Sequence, residues 1–278
     1  MSSFQATEGP KKTAALEQSK DDRRCKPQLR MFCEVNVGDR WADQAVHAMI
    51  SHRRKRRILI LCMASFVVYA FFNLLAMLLY PGGTASDKDV KGYLFFESFF
   101  SDLGMVRTYG GQSNTLSMLL FASALALMGI AFVFFFVILP SYFTATRIER
   151  VSSQIGSIGG VLAGVSCIGI AATPWDLYLS AHLIFVYSLS GSFLLSVVFY
   201  FVAMLTNGRY PNRYAAVFAV YTIILGAYLC LMFLGPDIDT RKGLAILATG
   251  QKIVIYSGMM CWFVQFLGAY GYHKRHSQ

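Results

Sequence analysis

The sequence predicts an all-α integral membrane protein: a bundle of six transmembrane helices with cytoplasmic N- and C-termini. Three observations carry that expectation. Six runs of roughly eighteen to twenty-nine mostly apolar residues are each long enough to cross a bilayer. Hydrophobic residues make up 55% of the 278-residue chain and charged ones 14%, a balance that suits helices closing their own backbone hydrogen bonds away from water. The runs are continuous rather than alternating, which excludes a transmembrane β-barrel.

In chain order, residues 1–57 form a polar, basic tail assigned to the cytoplasm. Within it Trp41, Ala45 and Met49 recur at helical spacing, which predicts a short interfacial helix near 41–52. A membrane domain follows over 58–272, with spans at about 58–80, 115–139, 155–172, 177–205, 215–234 and 244–270, and residues 273–278 close the chain in the cytoplasm. The first span begins too late for a cleaved signal peptide, and Ser2 excludes N-myristoylation. Between the first two spans, 81–114 is the longest far-side loop. Its stretch Tyr93, Leu94, Phe95, Phe96, Phe99, Phe100 and Leu103 is too short and too interrupted by Glu97 and Asp102 to span, so it is expected at head-group level or over the helix ends. Gly156, Gly160 and Gly164 recur every four residues in the third span beside Gly159, a face without side chains where another helix approaches closely. The short turn Ala172-Thr173-Pro174-Trp175-Asp176 forces the third and fourth helices into a hairpin.

The formal charge of +10 is not spread in the manner of a nucleic-acid-binding surface. Thirteen of the 25 Lys and Arg precede residue 58, ending in Arg53, Arg54, Lys55, Arg56 and Arg57 against the first span. With Arg147, Arg150, Arg209, Arg213, Lys274 and Arg275 on the same side, 19 of the 25 face one compartment, which the positive-inside rule makes the cytoplasm. The basic run reads as a topology anchor in contact with anionic lipid head groups. Outside the tail every acidic residue except Glu149 falls on the far side: Asp87, Asp89, Glu97, Asp102, Asp176, Asp237 and Asp239. Polar chemistry is therefore expected at the exoplasmic or lumenal face. Four of the six cysteines lie in spans and two in the tail, so no disulfide framework is expected.

Ionisable groups in or at a membrane are the natural functional suspects. Asp102, Ser113, Asn114, Asp176, His182, Gln251 and Lys252 are all placed near the far-side helix ends, where they could line a pocket for a lipid head group or another small polar ligand. Equally, Asp102, Asp176, His182 and Lys252 could be a hydrogen-bonded, partly ion-paired cluster that fixes helix ends. Lys252 at the shallow end of a span starting near Ile253 would instead snorkel to the interface. Ser101, Asp102, Asp176 and His182 are the residues an intramembrane hydrolase would need. The sequence contains no HExxH, GxSxG, Walker loop or paired CxxC, and with one histidine in a span neither a metal nor a cofactor is expected.

The segment Phe99-Phe100-Ser101-Asp102-Leu103-Gly104, then Ser113-Asn114 and a span, resembles an uncharacterised six-helix membrane family, the domain of unknown function 998. Gly169-Ile170-Ala171-Ala172-Thr173-Pro174-Trp175-Asp176 with His182 is similar to that family's Gly-x-x-x-Pro-x-Asp and His pattern. A more distant likeness runs to the Frag/DRAM/Sfk group, with six spans and a Ser-Asp-x-Gly element after the first helix. That second resemblance implies endomembrane, lipid-linked roles. This chain differs from the group in its long basic tail and in Leu103. The alkaline-ceramidase type of intramembrane hydrolase also uses Ser, Asp and His, but its His-x-x-x-His pair has no counterpart here.

The functional expectation is a non-enzymatic polytopic membrane protein, lipid-associated or a subunit of a membrane assembly. Its partners would be membrane lipids or other membrane-protein subunits, with no nucleic acid, in the plasma membrane or an endomembrane. The alternative is a lipid hydrolase or transferase acting through the Ser/Asp/His residues. A small-solute or ion transporter stands third, weakened by the lack of an internal repeat.

Overall fold

Apolar segments and helices share only some of their boundaries in this chain. The computed structural model describes residues 52–275; the expected tail through residue 51, with its interfacial helix, and residues 276–278 lie outside them. Six helices are long and apolar enough to cross a membrane: α1 His52–Leu79, α2 Thr115–Ile138, α3 Arg147–Ala172, α4 Trp175–Thr206, α5 Asn212–Leu234 and α6 Arg241–Arg275. No strand occurs among the described residues, only two isolated bridges in the 80–114 segment. Each expected span coincides with a helix to within one residue or lies inside it, but α1, α3 and α6 run past the apolar run into charged sequence. Hydropathy reports what lipid accepts, whereas the helix continues as long as its backbone bonds are made, and Arg, Lys and Glu are good helix formers.

The start of α3 shows what sets such an end. Thr146 Oγ1 accepts the Glu149 N–H at 3.1 Å, and Glu149 Oε2 accepts the Ala145 N–H at 3.3 Å, a capping arrangement that satisfies otherwise orphaned donors. Glu149 is buried and accepts a further bond from Asn207 Nδ2 at 2.9 Å, tying the α3 start to the end of α4. At the other end, α4 kinks at Tyr178, whose φ of −131° and ψ of 50° are not helical.

Consecutive helices pack on one another, and α6 returns to α1, so the six form a closed ring. His52 and His273, 3.4 Å apart, put the beginning of α1 and the end of α6 at the same end. We call this the basic end, and the opposite one, which carries residues 80–114, the loop end. The glycine seam of α3 receives a neighbour on each side. A Cβ on Gly164 would lie 2.7 Å from the Gly129 carbonyl oxygen of α2, and one on Gly159 would lie 2.8 Å from the Ser192 carbonyl oxygen of α4. The seam thus packs α3 within the ring.

Toward the basic end the ring is filled by aromatic side chains. Trp262 sits 4.9 Å from Phe193 and 5.4 Å from each of Phe132, Phe136 and Phe218, ring centre to ring centre. Outward faces remain apolar: Ile223 is 72% exposed and Ile184 65%. Helices apolar all round suit a lipid solvent, where outward leucine and isoleucine carry no penalty.

Candidate functional site

The loop end is a roof built from residues 80–114 and clamped by polar side chains from the helices beneath. Gly82 and Gly83 turn the chain back after Pro81 with φ of 131° and 88°, a region that side chains rarely enter. The greasy stretch then packs over the helix ends. Phe100–Gly104 forms a short 3-10 helix with Phe100 and Leu103 buried.

Each clamp pairs a side chain with a backbone group of the roof. Asp176, at the start of α4, accepts the N–H groups of Val106 and Arg107 at 3.0 to 3.1 Å. Asn114 Nδ2 donates to the carbonyls of Leu103 and Met105 at 3.1 and 2.9 Å and, more weakly, to that of Asp102 at 3.5 Å. Ser117 Oγ also reaches the Leu103 carbonyl, at 3.3 Å. From α6, Gln251 Oε1 accepts the Phe100 N–H at 2.6 Å, and Lys252 Nζ donates to the Ser98 carbonyl. Lys252 is about three turns inside α6 and 2% exposed, with Tyr93 and Phe95 each 5.2 Å from its ammonium. It does not snorkel to an interface; the roof supplies the carbonyl and rings that a buried cation requires.

Asp102 serves the roof from within. Its Oδ2 accepts the Phe99 N–H at 2.7 Å, while Oδ1 makes no hydrogen bond of good geometry although the Trp175 indole is near enough to act on it. Burial pushes the carboxyl up to about 7, and the Phe99 N–H, the Lys252 charge and the Trp175 indole pull against that rise. A carboxyl raised in the folded state takes up protons on folding, so its contribution is fully present below the ordinary carboxylate range and is lost as pH climbs toward 7. Measured against Asp102→Asn, which lacks the titrating carboxyl, the purified wild type is therefore expected to lose melting temperature between pH 5 and pH 8. The dependence amounts to about 1.4 kcal/mol per pH unit between roughly pH 5 and 7. Asp102→Asn should flatten that slope; a melting curve of the variant that keeps it would assign the dependence to another group.

The expected ion-paired cluster takes a different form. Asp102, Asp176, His182 and Lys252 do not bond to one another, and among the described residues the one salt bridge is Arg241 to Glu97, at 2.8 Å. Buried charges at the roof meet backbone dipoles instead. His182 is turned away from Asp176: its Nδ1 lies 2.8 Å from the Thr173 carbonyl at the end of α3. Ser101, Asp102, Asp176 and His182 share no hydrogen bond, so no nucleophile–base pair is assembled. Ser113 Oγ lies 3.0 Å from Thr115 Oγ1 at the exposed start of α2. No three His, Cys, Asp or Glu side chains converge among the described residues.

Beneath the roof lies a cavity of about 170 Å³; of the residues expected to line a far-side pocket, His182 and Gln251 do so, while Asp102, Ser113, Asn114, Asp176 and Lys252 do not. Its ceiling includes Phe100, Ser101, His182, Gln251 and Tyr228, the last with its hydroxyl beside the Gln251 amide. Its floor is formed by Phe132, Phe193 and Trp262, and its walls draw on all six helices. At 1.5 Å per residue, His182 to Phe193 and Gln251 to Trp262 each descend about 16 Å. Its wall along α5 is the least enclosed, because buried positions on that helix stop at Leu225. Periodicity shows which residues face inward but not that they fail to meet, which is why no sequence signal marks the rest of the cavity.

At the basic end the run at the head of α1 divides. Lys55 folds inward, donating to Ser141 Oγ at 2.8 Å and lying over the Tyr142 ring, whereas Arg53, Arg54, Arg56 and Arg57 are exposed.

No protein-family model, no curated protein and no solved structure matches the chain.

Proposed function

We propose that this chain is a non-enzymatic, multi-pass membrane protein that holds an amphipathic lipid in the cavity at the centre of its helix ring. The observation carrying this reading is the cavity itself: about 170 Å³, mostly apolar along its walls apart from Tyr69, Cys167, Ser190 and Tyr221, with its other polar groups gathered at the roof. Pockets of that kind, apolar with a few placed polar groups, are where small amphipathic molecules bind. The clamps favour a binding role over a reactive one, since they hold Asp102, Asp176, Gln251 and Lys252 to backbone atoms. The more distant likeness to the Frag/DRAM/Sfk group, which implies lipid-linked roles, points the same way.

Native mass spectrometry with lipid identification tests this directly, comparing wild type with Val186→Trp, which places a large ring in the cavity from a half-buried wall position. A lipid retained by the wild type and lost from an equally stable variant supports the reading. A lipid-free wild type, or one carrying another protein subunit in its place, overturns it in favour of an assembly role.

The orientation belongs to the same proposal. The basic end, with Arg53, Arg54, Arg56 and Arg57 against anionic head groups, faces the cytoplasm, and the roof faces the exterior or a lumen. Lys88 and Arg209 are exposed at opposite ends of the ring. In sealed vesicles with the cytoplasmic face inward, a membrane-impermeant maleimide is expected to label Lys88→Cys at once and Arg209→Cys only after permeabilisation. The reverse order would invert the topology.

A further inference from the structure

Resting on the lipid-holding reading, we propose that the cavity selects a neutral, hydroxyl-headed lipid with a single apolar body and discriminates against anionic head groups. The argument begins with what lines it. No Lys, Arg, Asp or Glu contributes to the lining. Lys252 follows Gln251 directly in sequence but turns away to the Ser98 carbonyl, between Tyr93 and Phe95. A carboxylate or phosphate entering here would lose its hydration without gaining a cation, a cost far larger than that of burying a hydroxyl that finds partners.

The roof does supply partners for a hydroxyl. The Thr173 carbonyl can only accept, so the Nδ1 of neutral His182 carries the proton in their 2.8 Å contact. Nε2 is left with a lone pair and no partner, in a side chain that is 4% exposed and lines the cavity. Gln251 shows the opposite polarity: its Oε1 accepts the Phe100 N–H, and with the Tyr228 hydroxyl beside its amide, a second amide N–H is left to donate. An acceptor and a donor on the lining of one cavity match a hydroxyl group, which both donates and accepts. Ser101, with no side-chain hydrogen bond of its own, adds a third polar contact. The volume of about 170 Å³, close to that of an engineered cavity that takes a single benzene ring, admits part of one chain along the descent toward Trp262 and excludes the two chains of a phospholipid.

The test uses two clickable diazirine probes of equal chain length, a long-chain alcohol and the matching fatty acid, on the full chain in nanodiscs at pH 7.4, with labelled residues mapped by mass spectrometry. The alcohol is expected to label cavity residues at least about tenfold more strongly than the acid, corresponding to about 1.4 kcal/mol. Ser101→Ala, which breaks no hydrogen bond of the fold, should narrow that ratio, and Val186→Trp should abolish cavity labelling by the alcohol. Equal cavity labelling by the two probes overturns the head-group selectivity while leaving the lipid-holding reading in place. Labelling confined to the outer, lipid-facing surfaces by both probes overturns both.

Discussion

Replacing Gly164 by valine is expected to drive α2 and α3 apart and cost about 3 kcal/mol, at the upper end for overpacking a dense interior. The contact is backbone to backbone. A Cβ at Gly164 would lie 2.7 Å from the Gly129 carbonyl oxygen, and one at Gly129 would lie 2.5 Å from the Gly164 carbonyl oxygen. No rotamer relieves such an overlap, so the helices themselves must move. Because α2 and α3 both wall the cavity, its lining would open with them. Gly191→Ala is the control, since a Cβ there meets nothing within 4 Å. Thermal melting in mild detergent should show a large loss for Gly164→Val and little change for Gly191→Ala. Equal melting temperatures would mean that the seam is looser than its geometry implies.

Asp176→Ala is expected to release the roof. It removes the acceptor of two backbone N–H groups, Val106 and Arg107, and hydrogen bonds to a carboxylate contribute about 1.5 to 3 kcal/mol each. Partial exposure at Arg107 lets water replace part of what is lost, so roughly 2 to 4 kcal/mol is expected. The effect should be local. Deuterium exchange should rise at Val106 and Arg107 and along 98–107, and trypsin should begin to cut after Arg107, while amides of α2 and α3 stay protected. Asp176→Asn, retaining one acceptor oxygen, should fall between the two. A uniform rise in exchange across all six helices would show instead that Asp176 holds the bundle, not the roof.

The two experiments concern features that were unequally legible in the sequence. The glycine seam follows from spacing, because residues four apart share a helix face and glycine there leaves a groove. Asp176 was identifiable as a residue of interest, but its role was not. Its partners are N–H groups about seventy residues away, and backbone groups carry no side-chain signature. The same reason explains Gln251, Lys252 and Asn114: a polar residue near a span end announces a need for a partner without naming it. Thr173 and Tyr228, which contribute to the arrangement at the cavity roof, gave no signal at all.

Composition and run length alone determined the six helices long and apolar enough to cross a membrane and the even topology that returns the chain to its basic end. Those properties depend on short-range sums of hydrophobicity and on helix rise, both of which are written locally. Tertiary structure decided the rest: that the buried charges meet backbone dipoles rather than one another, that His182 turns to Thr173 and away from Asp176, and that the ring encloses a cavity. Each of these depends on how closely distant segments approach. A difference of one or two ångströms in that approach decides between a salt bridge, a clamp and an open space.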